Sequence, residues 1–267
     1  MGCSGRYCKN ILYLIFDEWY HFIDEMHNLM KNVLIFGASG HGSVVLDCLE
    51  RSNDYRVVGF IDSFKKKGTK NNGYEVLGTE YDLRYITERY NVHAGVIAIG
   101  DNWERQKMAE RIVKISPDFD FINVIHSSAI LGKDVILGKG IVVLPGVIVN
   151  ANSRIGDHCM LNTRASLGHD GIMDSFSSLA PGVCTGGYLK LGRGSAISLG
   201  TLVIQNISIG SESVIGAGSL VLKNIPDQVL AFGSPAEVIR RRQKGEVYLT
   251  GPRSLQPTLF KMEYTGS

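Results

Sequence analysis

Charge of one sign is what this sequence most plainly lacks. Its 28 basic and 26 acidic residues leave a formal net charge of +2, and no basic stripe runs along it. That balance argues against a nucleic-acid partner. The one lysine run, Lys65 to Lys67, leads into Gly68 and Asn71-Asn72-Gly73 and reads as a solvated turn. Long hydrophobic runs are lacking too. The apolar stretch Ile11 to Phe16 stops at Asp17, Glu18 and His21, far short of a bilayer's thickness. It also lacks the charged start and small-residue cleavage site of a signal peptide. Met1-Gly2-Cys3-Ser4-Gly5 is followed by Arg6 where a myristoylation start carries Ser or Thr. No membrane partner is expected. The five cysteines, Cys3, Cys8, Cys48, Cys159 and Cys184, are scattered and odd in number. That excludes a disulfide framework and any close metal-ligand spacing, and makes a reducing cytoplasm the expected compartment.

What is present divides into segments. Residues 1–29 form an extension of unassigned role, with Tyr13, Phe16, Trp19, Tyr20, Phe22 and Ile23 able to share one face of a short helix. All the motifs lie beyond it, so its removal is expected to leave catalysis nearly intact. Residues 30–118 alternate strand signals (Val33–Phe36, Arg56–Ile61, Gly95–Ile99) with helix signals (His41–Ser52, Tyr81–Tyr90, Asn102–Ile115). This predicts an α/β domain with a parallel sheet and right-handed βαβ crossovers, half of a Rossmann-like fold. Residues 119–228 carry a different pattern, and 229–267 form a C-terminal segment.

The pattern in 119–228 is an internal repeat of period six. From Leu131 to Val221 every sixth residue is a sizeable apolar one, Thr185 alone excepted, and the frame never slips. Four residues after each comes a small or aliphatic residue, from Val135 to Ile225, and Gly often follows the key residue directly. Six residues make one short strand and one turn, and three such units close a triangular coil. The key residue points inward and stacks on its counterpart in the next coil, so the coils stabilise one another only by repetition. Small residues suit the corners, and Gly or Asn tolerates their backbone angles. The expected fold is a left-handed parallel β-helix behind the α/β domain.

Two places invite chemistry. Gly37, Ser39, Gly40, His41 and Gly42 follow a strand and open a helix, where backbone N–H groups and the helix dipole favour phosphate. Asp62 ends the second strand, at a position where an acid holds ribose hydroxyls. The glycine spacing departs from the dinucleotide fingerprint and the domain is half its size, so a nucleotide-sugar suits it better. An empty turn serving helix–sheet packing is the plain alternative. In the repeat, His169 stands between Gly168 and Asp170-Gly171. A turn imidazole of near-neutral pKa can act as a general base, and an adjacent carboxylate can fix its tautomer. A locally capped surface histidine is the plain alternative. His158 and His169 lack a third ligand, so no metal is expected.

The chain resembles the hexapeptide-repeat acyltransferases, most closely bacterial sugar acetyltransferases of the PglD and NeuD type. The resemblance spans roughly residues 30–242. It is carried by Phe36-Gly37-Ala38-Ser39-Gly40-His41-Gly42, Ile97-Ala98-Ile99-Gly100-Asp101-Asn102, Leu161-Asn162-Thr163, Gly168-His169-Asp170 and Gly233-Ser234-Pro235-Ala236, in that order. It implies His169 as catalytic base beside Asp170, with Asn162 orienting either the base or the sugar, a turn residue of the repeat being its plain alternative, and an acetyl carbonyl held at the Gly187 amide. It also implies acetyl-CoA bordered by Gly233, Pro235, Ala236 and Arg240, and a nucleotide-sugar approached by the first glycine turn, Gly100, Asn102 and Ser178. Asp170 stands where many relatives have Glu, Ser178 where many have a second histidine, and Glu237 where Lys is common. The implied activity is N-acetylation of a nucleotide-linked amino-deoxy sugar, by direct transfer with no acyl-cysteine. The alternatives are a sialic-acid O-acetyltransferase and a non-catalytic nucleotide-sugar scaffold. A β-helix without an inserted loop has little to wall a groove, so a homotrimer with the groove between subunits is expected.

Overall fold

In the computed structural model, residues 30–249 are described; the extension 1–29 and residues 250–267 lie outside them. The first domain builds on strand β1 (Lys31–Phe36), whose last four residues are buried. It pairs in parallel with β2 (Tyr55–Ile61), and helix α1 (Gly40–Glu50) makes the crossover. Strands β3 (Lys70–Asn71) and β4 (Tyr74–Gly78) form a hairpin, and β4 lies parallel to β2. Helix α2 (Leu83–Tyr90), strand β5 (Ala94–Ile97), helix α3 (Asn102–Ile115) and strand β6 (Asp120–Phe121) complete the unit. The sheet order is β3-β4-β2-β1-β5-β6. The sequence pattern located β1, β2, β5 and the helices; it did not reveal β3, β4 and β6. The lysine run, read as a turn, leads straight into the β3–β4 hairpin. Strand β5 ends two residues earlier than its apolar run, and Ala98, Ile99 and Gly100 beyond it line a cavity.

From Val124 the chain winds into the left-handed β-helix. Two-residue strands pair in parallel with the residues 18 positions on, as Val142 with Met160 and Met160 with Ser178. One coil is therefore three hexapeptides. The first face runs from Val124–Ile125 to Val214–Ile215, the second from Ile130–Leu131 to Leu220–Val221, and the third from Ile136–Leu137 to Ser208–Ile209. A final hairpin, Val229–Gly233 with Ala236–Arg241, extends the first face. The key positions from Val143 to Val221 are buried. Leu131 and Leu137, at the open end of the stack, are not.

The corners depart from the expected glycine logic. Every sixth residue from Asp134 to Gly218 has a positive φ, three positions beyond the key residue. His158, Arg164, Asp170, Phe176 and Tyr188 occupy such corners although they carry full side chains. A left-handed conformation costs an L-residue about 1–2 kcal/mol, less for Asn and Asp. The glycines directly after the key residues answer a different need. A Cβ on Gly132 would stand 2.6 Å from Ala151 N, and one on Gly192 2.5 Å from Ser211 N. They are glycine so that successive coils can close on one another.

Candidate active site

His169 sits on the corner between the second-face strand Ser166–Leu167 and the third-face strand Ile172–Met173. Asp170 takes the left-handed corner conformation, with φ 56°. That turn throws the imidazole outward, with 57% of the side chain exposed. It also brings the carboxylate back, with His169 Nδ1 and Asp170 Oδ2 2.7 Å apart. Asn152, one coil below, donates to Asp170 Oδ1 at 3.3 Å. Tyr188, one coil above, meets the ring edge-to-face with centroids 5.1 Å apart. The carboxylate holds Nδ1 and leaves Nε2 free as the working nitrogen. Nε2 lies directly over Gly187, where a Cβ would stand 2.5 Å from it. The Gly187 amide is buried and has no acceptor among the described residues. Base and unpaired N–H donor thus share one corner.

Asn162 is not part of this constellation. It lies on the corner between the first and second faces, where its Oδ1 accepts from Thr163 N at 2.8 Å. It lines a cavity of about 390 Å³ between the two domains with His41, Gly100 and Ser178. Orientation of His169 by Asn162 within one chain is therefore ruled out by the corner each occupies. Cys184 is exposed on the second face and free, and no histidine bonds to it among the described residues.

The first domain holds a second cavity, of about 480 Å³, at the carboxyl edge of its sheet. Gly37, Ser39, Asp62, Tyr81, Gly100 and Arg111 line it. Gly37 has φ 110° and leaves no room for a Cβ against Ala98 O. Asp62 accepts from the amides of Ala38 (2.7 Å), Phe64 (2.8 Å) and Lys65 (2.9 Å). Its carboxylate is largely spent on clamping the two loops, which corrects its reading as a free ribose acceptor. Lys65 folds back onto the carbonyl of Ala38, so one ammonium of the supposed solvated run stands at the phosphate-favouring turn. Asn102 is also reassigned. It is buried, donates to the carbonyls of Gly194 (3.2 Å) and Ser195 (3.1 Å), and accepts from Arg105 (2.6 Å). Those bonds use its amide to pin the domains together. The His41 ring is held neutral, its pKa lowered to about 4 by burial and then by the Arg105 charge. Its Nε2 has no hydrogen-bond partner among the described residues.

The model of the PglD N-terminal domain matches residues 32–112. Perosamine N-acetyltransferase from Caulobacter crescentus, solved with CoA and GDP-perosamine, is 32% identical. It superposes with a TM-score of 0.73, over 78% of this chain and 97% of that one. This chain belongs to the PglD/NeuD-type hexapeptide-repeat sugar acetyltransferases. The acetyltransferase domain of PglB from Neisseria gonorrhoeae, solved with acetyl coenzyme A, is 29% identical, with a TM-score of 0.73, over 79% of this chain and all (100%) of that one. GDP-perosamine N-acetyltransferase from Escherichia coli O157:H7 is 29% identical over 222 residues, 78% of this chain and 96% of that protein.

Two features of this acetyltransferase escaped the sequence. Arg105 is fully buried and binds carbonyls of both domains: Ile99 (2.9 Å), Gly100 (3.0 Å), His158 (2.8 Å) and Phe176 (3.1 Å). The available signal was its place on the apolar face of α3, in step with Met108, Ala109 and Ile112. The second is in the C-terminal segment. Gly233 and Ala236 end the two strands of the final hairpin and Ser234-Pro235 forms its turn, where the sequence suggested a CoA border or a basic helix end. Arg240, however, is paired with Glu246 at 2.6 and 3.1 Å, and this pairing lowers the Glu246 pKa to about 2. It ties the segment around Glu246 back to the final hairpin instead of standing free for a CoA phosphate. Glu237 is likewise taken by Lys223, at 2.7 Å.

Among the described residues no three His, Cys, Asp or Glu side chains gather as a metal site, and no helix is long and apolar enough to cross a membrane.

Proposed function

We propose that the enzyme transfers the acetyl group of acetyl-CoA to the amino group of a nucleotide-linked amino-deoxy sugar, with His169 as general base. The observation that carries this is the solvent-facing imidazole, held at Nδ1 by Asp170 with Nε2 over Gly187, whose N–H has no acceptor among the described residues. His169 Nε2 takes the proton as the amine attacks the thioester carbon. The Gly187 N–H stabilises the oxyanion of the tetrahedral intermediate. Collapse expels the CoA thiolate, which receives the proton back from the imidazolium, and Asp170 balances its transient charge. The nucleotide is assigned to the cavity at Gly37–Gly42, with Lys65 beside its phosphates. The relatives solved with GDP-perosamine and CoA support the two substrate classes.

His169 lines neither this cavity nor the interdomain one. We infer that the sugar bound by one subunit meets His169 of a neighbour, in a homotrimer whose active sites lie between subunits. The test is acetyl-CoA consumption against a panel of nucleotide-linked amino sugars, beginning with GDP-perosamine, with wild type and His169→Asn. The variant keeps the turn and a polar group but loses the proton acceptor, so turnover falls about 10²–10⁴-fold while acetyl-CoA affinity holds. Near-normal turnover in the variant removes His169 as base. Ligand binding without turnover in wild type points to a scaffold. An active monomer in light scattering overturns the shared site.

A further inference from the structure

Gly100 lines both cavities, the one at the glycine turn and the one between the domains. A nucleotide-sugar held by its phosphates in the first directs its sugar past Gly100 into the second. There part of the wall comes from neither domain core. Tyr248 and Leu249 are brought in by the C-terminal segment, which is tied down at several points. Arg240 pairs with Glu246, Gln243 N donates to Glu246 Oε2 at 3.1 Å, and Tyr248 N donates to Asp101 Oδ2 at 3.2 Å. The Tyr248 hydroxyl reaches between the domains, 3.4 Å from Ser178 Oγ and 3.4 Å from the carbonyl of Gly100. Both contacts are longer than the usual O–H···O range of about 2.5–3.0 Å. A hydroxyl so loosely satisfied, beside open volume, has bonding capacity left for a ligand.

We propose that Tyr248 is a specificity-determining residue of the sugar subsite, its hydroxyl bonding a polar substituent of the acceptor sugar beside Ser178. This rests on the reading of the acceptor as a nucleotide-linked amino sugar. Burial raises the phenol pKa, so the group remains a donor across the working pH range. The tether fixes where the donor stands, and its place at the far side of Gly100 from the nucleotide restricts its influence to the sugar.

The experiment uses the full chain and compares wild type with Tyr248→Phe, which keeps the ring and the strap but removes the hydroxyl. The acceptor is the best substrate of the panel that begins with GDP-perosamine, together with its analogues lacking one sugar hydroxyl each. The expected result is a KM for the acceptor raised about five- to tenfold, the worth of one neutral hydrogen bond. The KM for acetyl-CoA and the calorimetric Kd for the free nucleotide stay within twofold. One deoxy analogue is penalised in wild type and no longer penalised in Tyr248→Phe. A merely structural tyrosine would lower stability or shift all constants together, without erasing the distinction between analogues. An unchanged acceptor KM, or an unaltered ranking of the analogues, overturns the inference while leaving the acetyltransferase reading intact. Wild type that acetylates no member of the panel removes that reading, and the inference with it.

Discussion

Gly187→Ala is the sharpest probe of how the His169 corner is built. The perturbation is one methyl group. The backbone at 187 is not in the left-handed region, so alanine imposes no conformational strain there. The new Cβ would stand 2.5 Å from His169 Nε2 and 2.6 Å from Cε1. Comfortable carbon contacts begin near 3.5 Å, so the ring must retreat by about 1 Å. The ring is more than half exposed, so it has room to turn, and the fold should lose little, within about 0.5 kcal/mol. Turning strains the 2.7 Å contact with Asp170 and takes Nε2 off the amine's path. A displacement of this size costs about 10²-fold in turnover. Steady-state kinetics with both substrates and a thermal melt measure it. Because the methyl acts through His169, the double variant Gly187→Ala/His169→Asn should be no slower than His169→Asn alone. Retention of more than a third of wild-type turnover, or additive losses in the double variant, refutes the placement of Nε2 over Gly187.

Other consequences can be measured directly. His158 is buried against Phe176 and Phe121, and burial with the nearby Arg105 charge lowers its pKa to about 4. His41 shares that direction. The unfolded chain takes up these protons near pH 6.5 and the fold resists them until about 4, so stability is full above 6.5 and falls across that window. For His158 alone the loss is on the order of 3 kcal/mol, and His158→Phe should flatten the pH dependence of the melting temperature. Arg105→Leu leaves buried carbonyls of both domains unpaired and should cost about 3 kcal/mol in denaturant unfolding. Asp170→Gly relieves a non-glycine left-handed corner and should leave the melting temperature level or raised while turnover drops; a fall in both would assign Asp170 to the fold instead.

The β-helix was legible because its physics is one-dimensional: a residue's burial depends on its place in the hexapeptide and little else. The same regularity misled at the glycines. Gly132 or Gly192 in a repeat reads as a corner residue, yet the left-handed corner lies two residues later and takes Asp134 or Gly194. The resemblance offered Asn162, seven residues before His169, to orient the base or the sugar. In an 18-residue coil that step moves to the next corner, and only positions 18 apart, such as Asn152 and Asp170, stack. The roles of Asn102 and Arg240 were misjudged for a different reason. Their partners, Gly194, Ser195 and Glu246, are brought to them by the tertiary fold, and no local pattern announces them.

The two halves of the proposed chemistry sit on different parts of one rigid stack. The base and the unpaired amide belong to a corner between the second and third faces, while the interdomain cavity lies on the first face and the other cavity within the α/β domain. The pins that hold this domain are buried and numerous: Asn102 to Gly194 and Ser195, and Arg105 to His158 and Phe176. Such a joint opposes the swing that would carry a nucleotide-bound sugar around the prism to its own His169. A flexible linker would have allowed one chain to complete a site by domain motion; a buried arginine bonded to carbonyls of both domains does not. Rigidity within the subunit is thus the physical argument behind the proposed site shared between neighbours. It also makes the geometry at each His169 corner depend on the stacking of coils instead of on loop conformation.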